Sequence, residues 1–374
     1  MSPTGGVAMA AVVRRRRRLH RAIGVTAVLI CVGATLACTV APLPGSSTSR
    51  SAAAELLHVT TAAGSTCVSV VKDGQVIVER TTNGGKPVRA FSITKSVTAL
   101  LVGMAQDDGK LRIDDPVADF VSEWHGTPSS AVTIRDILTN TSGRQWDSRT
   151  DYAEMALKAE DKTAFAVALK QENDPGSVWT YNNSAVQVLE AVLESAWGAP
   201  VDEFASEQLF QPLGMDNSRI ERDEAGNANL FAGLWTTCDD LVRLGELVLN
   251  DGVGPSGDRL VSAEYIRAAT GSPSTKLNAA YGHLWWLNHS GPAVTPEVAT
   301  TGKGGAINGP LVPAASDDIV WALGFHSQIL AVMPSQGAVA VRLGEEPPKS
   351  ADLTVRLFTE HVLAALTAAD SDEP

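Results

Sequence analysis

The 374-residue sequence predicts an α+β fold: an antiparallel sheet built from both chain ends and flanked by helices, with a mostly helical subdomain inserted between them. Three observations carry this. "TCVSVVKDGQVIVERT" (66–81) places β-branched residues on both sides of Asp73-Gly74, the pattern of a hairpin. "IVWALGF" (319–325), "QILAVMP" (328–334) and "GAVAVRLG" (337–344) are short, apolar and bounded by turns, as strands are. Between about 110 and 260 the patterns are mostly helical, separated by Pro/Gly turns.

From the N-terminus, Arg14 to Arg18 form a basic cluster, and Ile23 to Val40 is an uncharged stretch of weak polarity. Small residues and the linker-like "APLPGSSTSR" (41–50) follow, so residues 1–40 read as an export signal and 41–54 as a linker. Residues 55–374 then form one large domain, and the mature protein is expected outside the cytoplasm. An uncleaved membrane anchor is the alternative. "TLAC" (35–38) resembles a lipoprotein box ending in Cys38, though Thr35 and Leu36 depart from its usual pattern. Beyond the signal, Cys67 and Cys238 are read either as a disulfide or as two buried thiols.

The next element begins at "FSITKSVTALL" (91–101). Val97, Leu100, Leu101 and Met104 recur at helical spacing, and "DDGK" ends the run with Gly109 as its C-terminal cap. "TAFAVALKQ" (163–171) and "AVQVLEAVLESAW" (185–197) continue as helices, and "TVRLFTEHVLAALTAA" (354–369) closes the chain as an amphipathic one. Without its first 41 residues the chain holds 24 basic and 42 acidic residues, a net −18. Such a body repels phosphate backbones and argues against a nucleic-acid partner. The histidines show no metal-ligand spacing, so neither metal nor cofactor is expected.

Ser-x-x-Lys occurs twice. Ser69 and Lys72 lie in the hairpin, where residues three apart point to opposite faces and cannot meet. Ser92 and Lys95 open a helix, where the same spacing puts both on one face, roughly 5–6 Å apart at Cβ. At that position free backbone N–H groups and the positive helix end stabilise an oxyanion, and burial beside the apolar stripe makes Lys95 a usable base. The ordinary job of a serine there is an N-cap. In "PGSVWTYNNSAV" (175–186), Tyr181-x-Asn183 follows a Pro-Gly turn and precedes a helix. Tyr181 is placed to shuttle a proton, and Asn183 to hold Lys95 and a substrate carbonyl. A core aromatic and an N-cap are the plainer roles of these two.

With Ser92-x-x-Lys95 and Tyr181-x-Asn183 in this order, the chain resembles the β-lactamase-related serine hydrolases. These include class C β-lactamases, penicillin-binding carboxypeptidases, serine esterases and 6-aminohexanoate-dimer hydrolases. "GKLRIDDPVADF" (109–120), "TIRDILTNTSG" (133–143), "LFQPLGM" (209–215) and "LWTTCDDLVRLGELVLNDG" (234–252) extend the likeness over about residues 55 to 369. The resemblance implies a β-lactamase/transpeptidase-like fold and an acyl-enzyme mechanism: Ser92 as nucleophile, Lys95 as base and Tyr181 assisting proton transfer.

The family's third element, Lys-Thr-Gly on a strand, is missing. "WALGFHSQILAVMP" (321–334) is most similar to the 6-aminohexanoate-dimer hydrolase branch. In one register Gly324 matches the motif glycine, Ala322 stands where the lysine would be, and the Phe325 N–H joins that of Ser92 in an oxyanion hole. In the other, His326-Ser327-Gln328 replaces the triplet. The first is preferred, because a glycine permits close approach to the substrate. "TGKGG" (301–305) has no strand pattern around its lysine and reads as loop. His283 and His326 are candidates for the cleft wall but more ordinarily packing residues, and Trp285, Trp286 and Trp321 read as core or pocket wall.

Without a strand lysine, a small neutral ester or amide is the expected substrate. A β-lactamase or D-Ala-D-Ala carboxypeptidase is the alternative, and a non-catalytic surface module binding peptidoglycan or a partner is the alternative of another class.

Overall fold

The computed structural model describes residues 47–371 apart from 303, 304 and 352. The expected export signal, with Cys31 and Cys38, lies outside the described residues.

The chain opens with α1 (Ser47–Ala62), β1 (Ser65–Lys72), β2 (Gln75–Thr81), β3 (Val88–Phe91) and α2 (Ile93–Asp107). Next come α3 (Ile134–Leu138), a wide π-type helix (Arg149–Lys158), α4 (Lys162–Ala168) and α5 (Asn183–Trp197). They are followed by α6 (Val201–Ala205), α7 (Gln211–Leu213), β4 (Arg219–Ile220), β5 (Leu234–Thr236), α8 (Cys238–Leu249) and α9 (Ala263–Thr270). The last part holds β6 (Trp286–Leu287), β7 (Pro292–Ala293), α10 (Pro296–Thr301), β8 (Ile307–Asn308), β9 (Val320–Gly324), β10 (Gln328–Met333), β11 (Ala338–Gly344) and α11 (Val355–Asp370). α1 corrects one expectation: residues 47–54, read as linker, form the first half of a helix that packs on α11.

The main sheet has the order β2-β1-β11-β10-β9-β6 with antiparallel pairing throughout, so strands from both chain ends do meet in one sheet. β1 lies beside β11 because both are apolar on both faces, and the sheet is covered on both sides. α1 packs on β1, while α8 packs on β10 and β11. The helix sits close there: a Cβ on Gly245 would come within 2.5 Å of Val339 Cγ1. α8 therefore belongs to the sheet's own covering layer although it lies within the stretch read as inserted. That stretch also holds β4 and β5, which join β3 in a small separate sheet.

Local chemistry explains the elements nearest the cleft. Asp73 and Gly74 both take positive φ (48° and 75°), the geometry that an Asp-Gly hairpin turn demands. Lys72 pairs with Asp370 of α11, while Ser69 is buried, so this Ser-x-x-Lys pair stays apart. α2 ends in a Schellman motif: the Gly109 N–H donates to Gln106 O and the Lys110 N–H to Ala105 O, both at 2.9 Å. Its helical run is almost entirely buried, which places the first turn of α2 beneath a cleft rather than in solvent. Cys67 in β1 and Cys238 at the start of α8 form a disulfide, resolving the two readings of that pair.

Candidate active site

Ser92 occupies the N-cap position of α2 but its side chain makes no capping hydrogen bond. It faces Lys95 instead: the lysine Nζ lies 2.9 Å from Ser92 Oγ and 2.9 Å from the Phe231 carbonyl oxygen, to which it donates. One helical turn brings the pair together, as the spacing requires. Lys95 is fully buried, its Nζ 4.8 Å from the centre of the Tyr181 ring. Burial lowers its pKa from 10.5 to about 7, and the negative charge of Asp151 opposes that fall. A lysine in this state offers a lone pair to the serine hydroxyl near neutral pH.

Tyr181 stands in the loop just before α5, in hydrogen-bonding reach of the Ser92 side chain and stacked on Trp286 at 5.8 Å. Burial raises its phenol above the ordinary range, so it remains a neutral proton donor. α5 is capped by Asn182, whose side chain accepts from the Ala185 N–H. Asn183 is thereby the first helical residue. It lines the cleft, but its Nδ2 donates to Asp151 Oδ2 at 2.7 Å; the expected contact with Lys95 is replaced by one with a carboxylate.

Ser92, Tyr181, Asn183, Gly324, Phe325 and His326 line one cleft of about 730 Å³, with Lys95 below its floor. Gly324 ends β9 against β3, where an added Cβ would lie 2.1 Å from Ala90 O. No side chain fits at this crossing, which brings the β9 backbone alongside the residues leading into Ser92. The close approach that this glycine permits is to β3, not the expected one to a substrate. Ala322 is on the strand and fully buried. His326 and Ser327 form the β9–β10 turn with φ of 63° and 57°, so the alternative triplet straddles a turn. His326 lies 3.6 Å from Glu346.

His283 is buried away from the cleft, where burial lowers its pKa to about 4. Trp285 and Trp321 are core, and Trp286 is pocket wall. Among the described residues no cluster of His, Cys, Asp or Glu fits a metal ion. Three residues escaped the sequence reading: Asp151, Phe231 and Trp286 as the Tyr181 partner. Asp151 is one of 42 acidic residues and has no motif around it; only its folded position distinguishes it.

Comparison with known proteins follows the same lines. The β-lactamase family model matches residues 51–361. Penicillin-binding protein 4 of Amycolatopsis lactamdurans is 27% identical over 206 residues, 46% of this chain, and the match spans only 53% of that protein's length. The 6-aminohexanoate-dimer hydrolase of Paenarthrobacter ureafaciens is 22% identical over 286 residues, 69% of this chain and 66% of the relative. A β-lactamase from Mycobacterium bovis superposes with a TM-score of 0.61 at 19% identity, covering 84% of this chain and 99% of that one.

Proposed function

The chain belongs to the β-lactamase family of serine hydrolases, and from that premise we propose that it hydrolyses small neutral esters or amides through an acyl-enzyme on Ser92. One observation carries the reading: a buried lysine, its pKa brought near 7, with Nζ 2.9 Å from an uncapped serine hydroxyl at a helix start. Ser92 Oγ attacks the substrate carbonyl carbon while its proton passes to Lys95 Nζ. The resulting oxyanion is held by the backbone N–H groups of Ser92 and Phe325. Collapse breaks the bond to the alcohol or amine, which leaves with a proton relayed through Tyr181. Water then attacks the acyl-enzyme with Lys95 again taking a proton, and the acid departs as Ser92 is restored.

The charge of the cleft supports a neutral substrate. Among the described lining residues the cationic side chains are Arg89 and, when protonated, His326. Arg89 is engaged by Glu221 and the Ala232 carbonyl, and His326 by Glu346. Ala322, where a carboxylate-binding lysine would stand, is an inward methyl group. Phe91, Phe231, Trp286 and Phe325 make the wall largely aromatic. The Cys67–Cys238 disulfide favours an oxidising compartment, and with the basic, apolar N-terminus supports export of the mature protein, retained or released.

The test is a panel of p-nitrophenyl esters, nitrocefin and D-Ala-D-Ala peptides with the purified protein, alongside labelling by a fluorophosphonate. We expect ester turnover, labelling at Ser92, and loss of both in Ser92→Ala. Labelling that survives this substitution moves the nucleophile elsewhere, and efficient nitrocefin cleavage by the wild type overturns the substrate assignment.

A further inference from the structure

Asp151 lies in the π-type helix Arg149–Lys158 and is buried to 1% exposure. Four donors converge on its carboxylate. The Asn183 side-chain Nδ2 lies at 2.7 Å and the Asn183 N–H at 3.3 Å, while the Ser184 N–H and hydroxyl are each at 2.8 Å. Burial raises the Asp151 pKa above the ordinary carboxylate value; the hydrogen bonds from Asn183 and Ser184 oppose that rise by favouring the ionised, acceptor form. The opposite charge acting on it is Lys95. Runs of π-type helix are rare and recur at functional sites, because they aim one side chain out of the ordinary helical register.

We infer that Asp151 is a positioning residue and counter-charge of the acylation site: it fixes the Asn183 amide at the cleft wall and supplies the negative charge that acts on Lys95. The inference rests on the reading of Lys95 as the base. The two hydrogen bonds from Asn183 turn its amide nitrogen to Asp151, leaving the amide oxygen for other partners, and the two from Ser184 fix the carboxylate itself. The carboxylate's charge favours protonated Lys95, and so holds up an affinity that burial would otherwise lower further. The other titratable groups at this junction are the phenols of Tyr152 and Tyr181. Burial pushes Tyr152 up to about 12 and Tyr181 higher still, so both stay neutral across the working range. Arg149 and Glu154, on the same helix as Asp151, pair with each other at the surface.

The experiment is the pH dependence of fluorophosphonate labelling, in which the Ser92 Oγ–P bond forms, fluoride leaves and the hydroxyl proton goes to Lys95. The wild-type rate should rise with pH through an inflection near 7. Asp151→Asn keeps the shape, removes the charge and should move that inflection down by about half a pH unit or more. Asp151→Glu keeps the charge and should hold the inflection near the wild-type position while lowering the plateau. Asp151→Ser is the smaller charge-free variant, with the same predicted shift, should the amide fail to fold. An inflection that stays in place in a folded charge-free variant overturns the role of Asp151 alone. A wild-type profile without the inflection, or Lys95→Ala labelling at the wild-type rate, overturns the underlying assignment of the base.

Discussion

Replacing Lys95 by methionine should make the protein more stable and inactive at once. The lysine pKa falls from 10.5 in water to about 7 in the fold, chiefly through burial. At about 1.4 kcal/mol per pKa unit, the folded state gives up roughly 5 kcal/mol relative to a protein without this group. The sign follows from proton binding. Below pH 7 the lysine is charged in both states and the full penalty applies. Between pH 7 and 10.5 the unfolded chain binds the extra proton, so wild-type stability rises with pH; above 10.5 the penalty vanishes. Methionine has a similar reach and no charge, but leaves the Phe231 carbonyl without its donor, at a cost of about 1–3 kcal/mol. Lys95→Met should therefore be more stable than wild type by roughly 2–4 kcal/mol at pH 6–7. The gap should narrow by about 1.4 kcal/mol per unit above pH 7. Denaturant melts at pH 6, 7, 8 and 9 measure this, and ester hydrolysis should fall by about 10²–10⁴ in the same variant. A gap that does not change between pH 7 and 9 would refute the argument, because the lysine would then keep its proton throughout.

Gly324→Ala places a Cβ 2.1 Å from the Ala90 carbonyl oxygen, so β9 must part from β3 and carry the Phe325 amide with it. The expected result is a drop in kcat of about 10²-fold with a lowered Tm, read by ester assay and calorimetry. The Cys67–Cys238 disulfide joins residues 171 apart in sequence; the paired Cys→Ser variant should lose roughly 5 kcal/mol in chemical denaturation, with the ester rate little changed in the folded protein. Ala322→Lys restores a cation beneath the cleft and should raise the ratio of nitrocefin to ester turnover by about one to two decades.

The parts of the fold written in local chemistry were legible. Asp73-Gly74 fixed a hairpin, Gly109 a helix end, and three apolar segments the strands β9, β10 and β11. Residues 47–54 misled because Ser, Thr and Ala are at home in both linkers and helices; what makes them helical is packing on α11 at the far end of the chain. The site divides in the same way. Ser92 and Lys95 announce themselves by a spacing that one helical turn converts into contact. Asp151 and the Phe231 carbonyl reach Lys95 only through tertiary folding, 56 and 136 residues away in sequence, and no spacing rule encodes them. Asn183 was found, but its partner was not, because an amide shows its partner only once its neighbours are in place.

Backbone strain marks the same boundary between local and tertiary information. Among the described residues seven non-glycine residues take positive φ, and three of them, Phe91, His326 and Ser327, line the cleft. Histidine enters that conformation more readily than most side chains and serine less so, and Phe91 is the least suited of the three. Each is held from outside. The Phe91 carbonyl accepts from Thr94 Oγ1, which itself accepts the Leu234 N–H at 2.9 Å from β5. The His326 and Ser327 carbonyls accept from Arg342 Nη1 at 2.6 and 3.1 Å. That arginine is wholly buried with no carboxylate partner among the described residues, and burial lowers its pKa to about 10. Its other donors go to Ser65 Oγ and to the Ala63 and Glu345 carbonyls, so it ties the β9–β10 turn to the start of β1. A left-handed phenylalanine costs about 1–3 kcal/mol and a buried cation several kcal/mol, and both persist only where the surrounding fold over-determines them. Both act on the backbone that carries Ser92 and Phe325, the two amides assigned to the oxyanion. The strain thus lies where the position of a backbone N–H matters most, and it is paired with tertiary contacts that a local reading of the sequence has no means to anticipate.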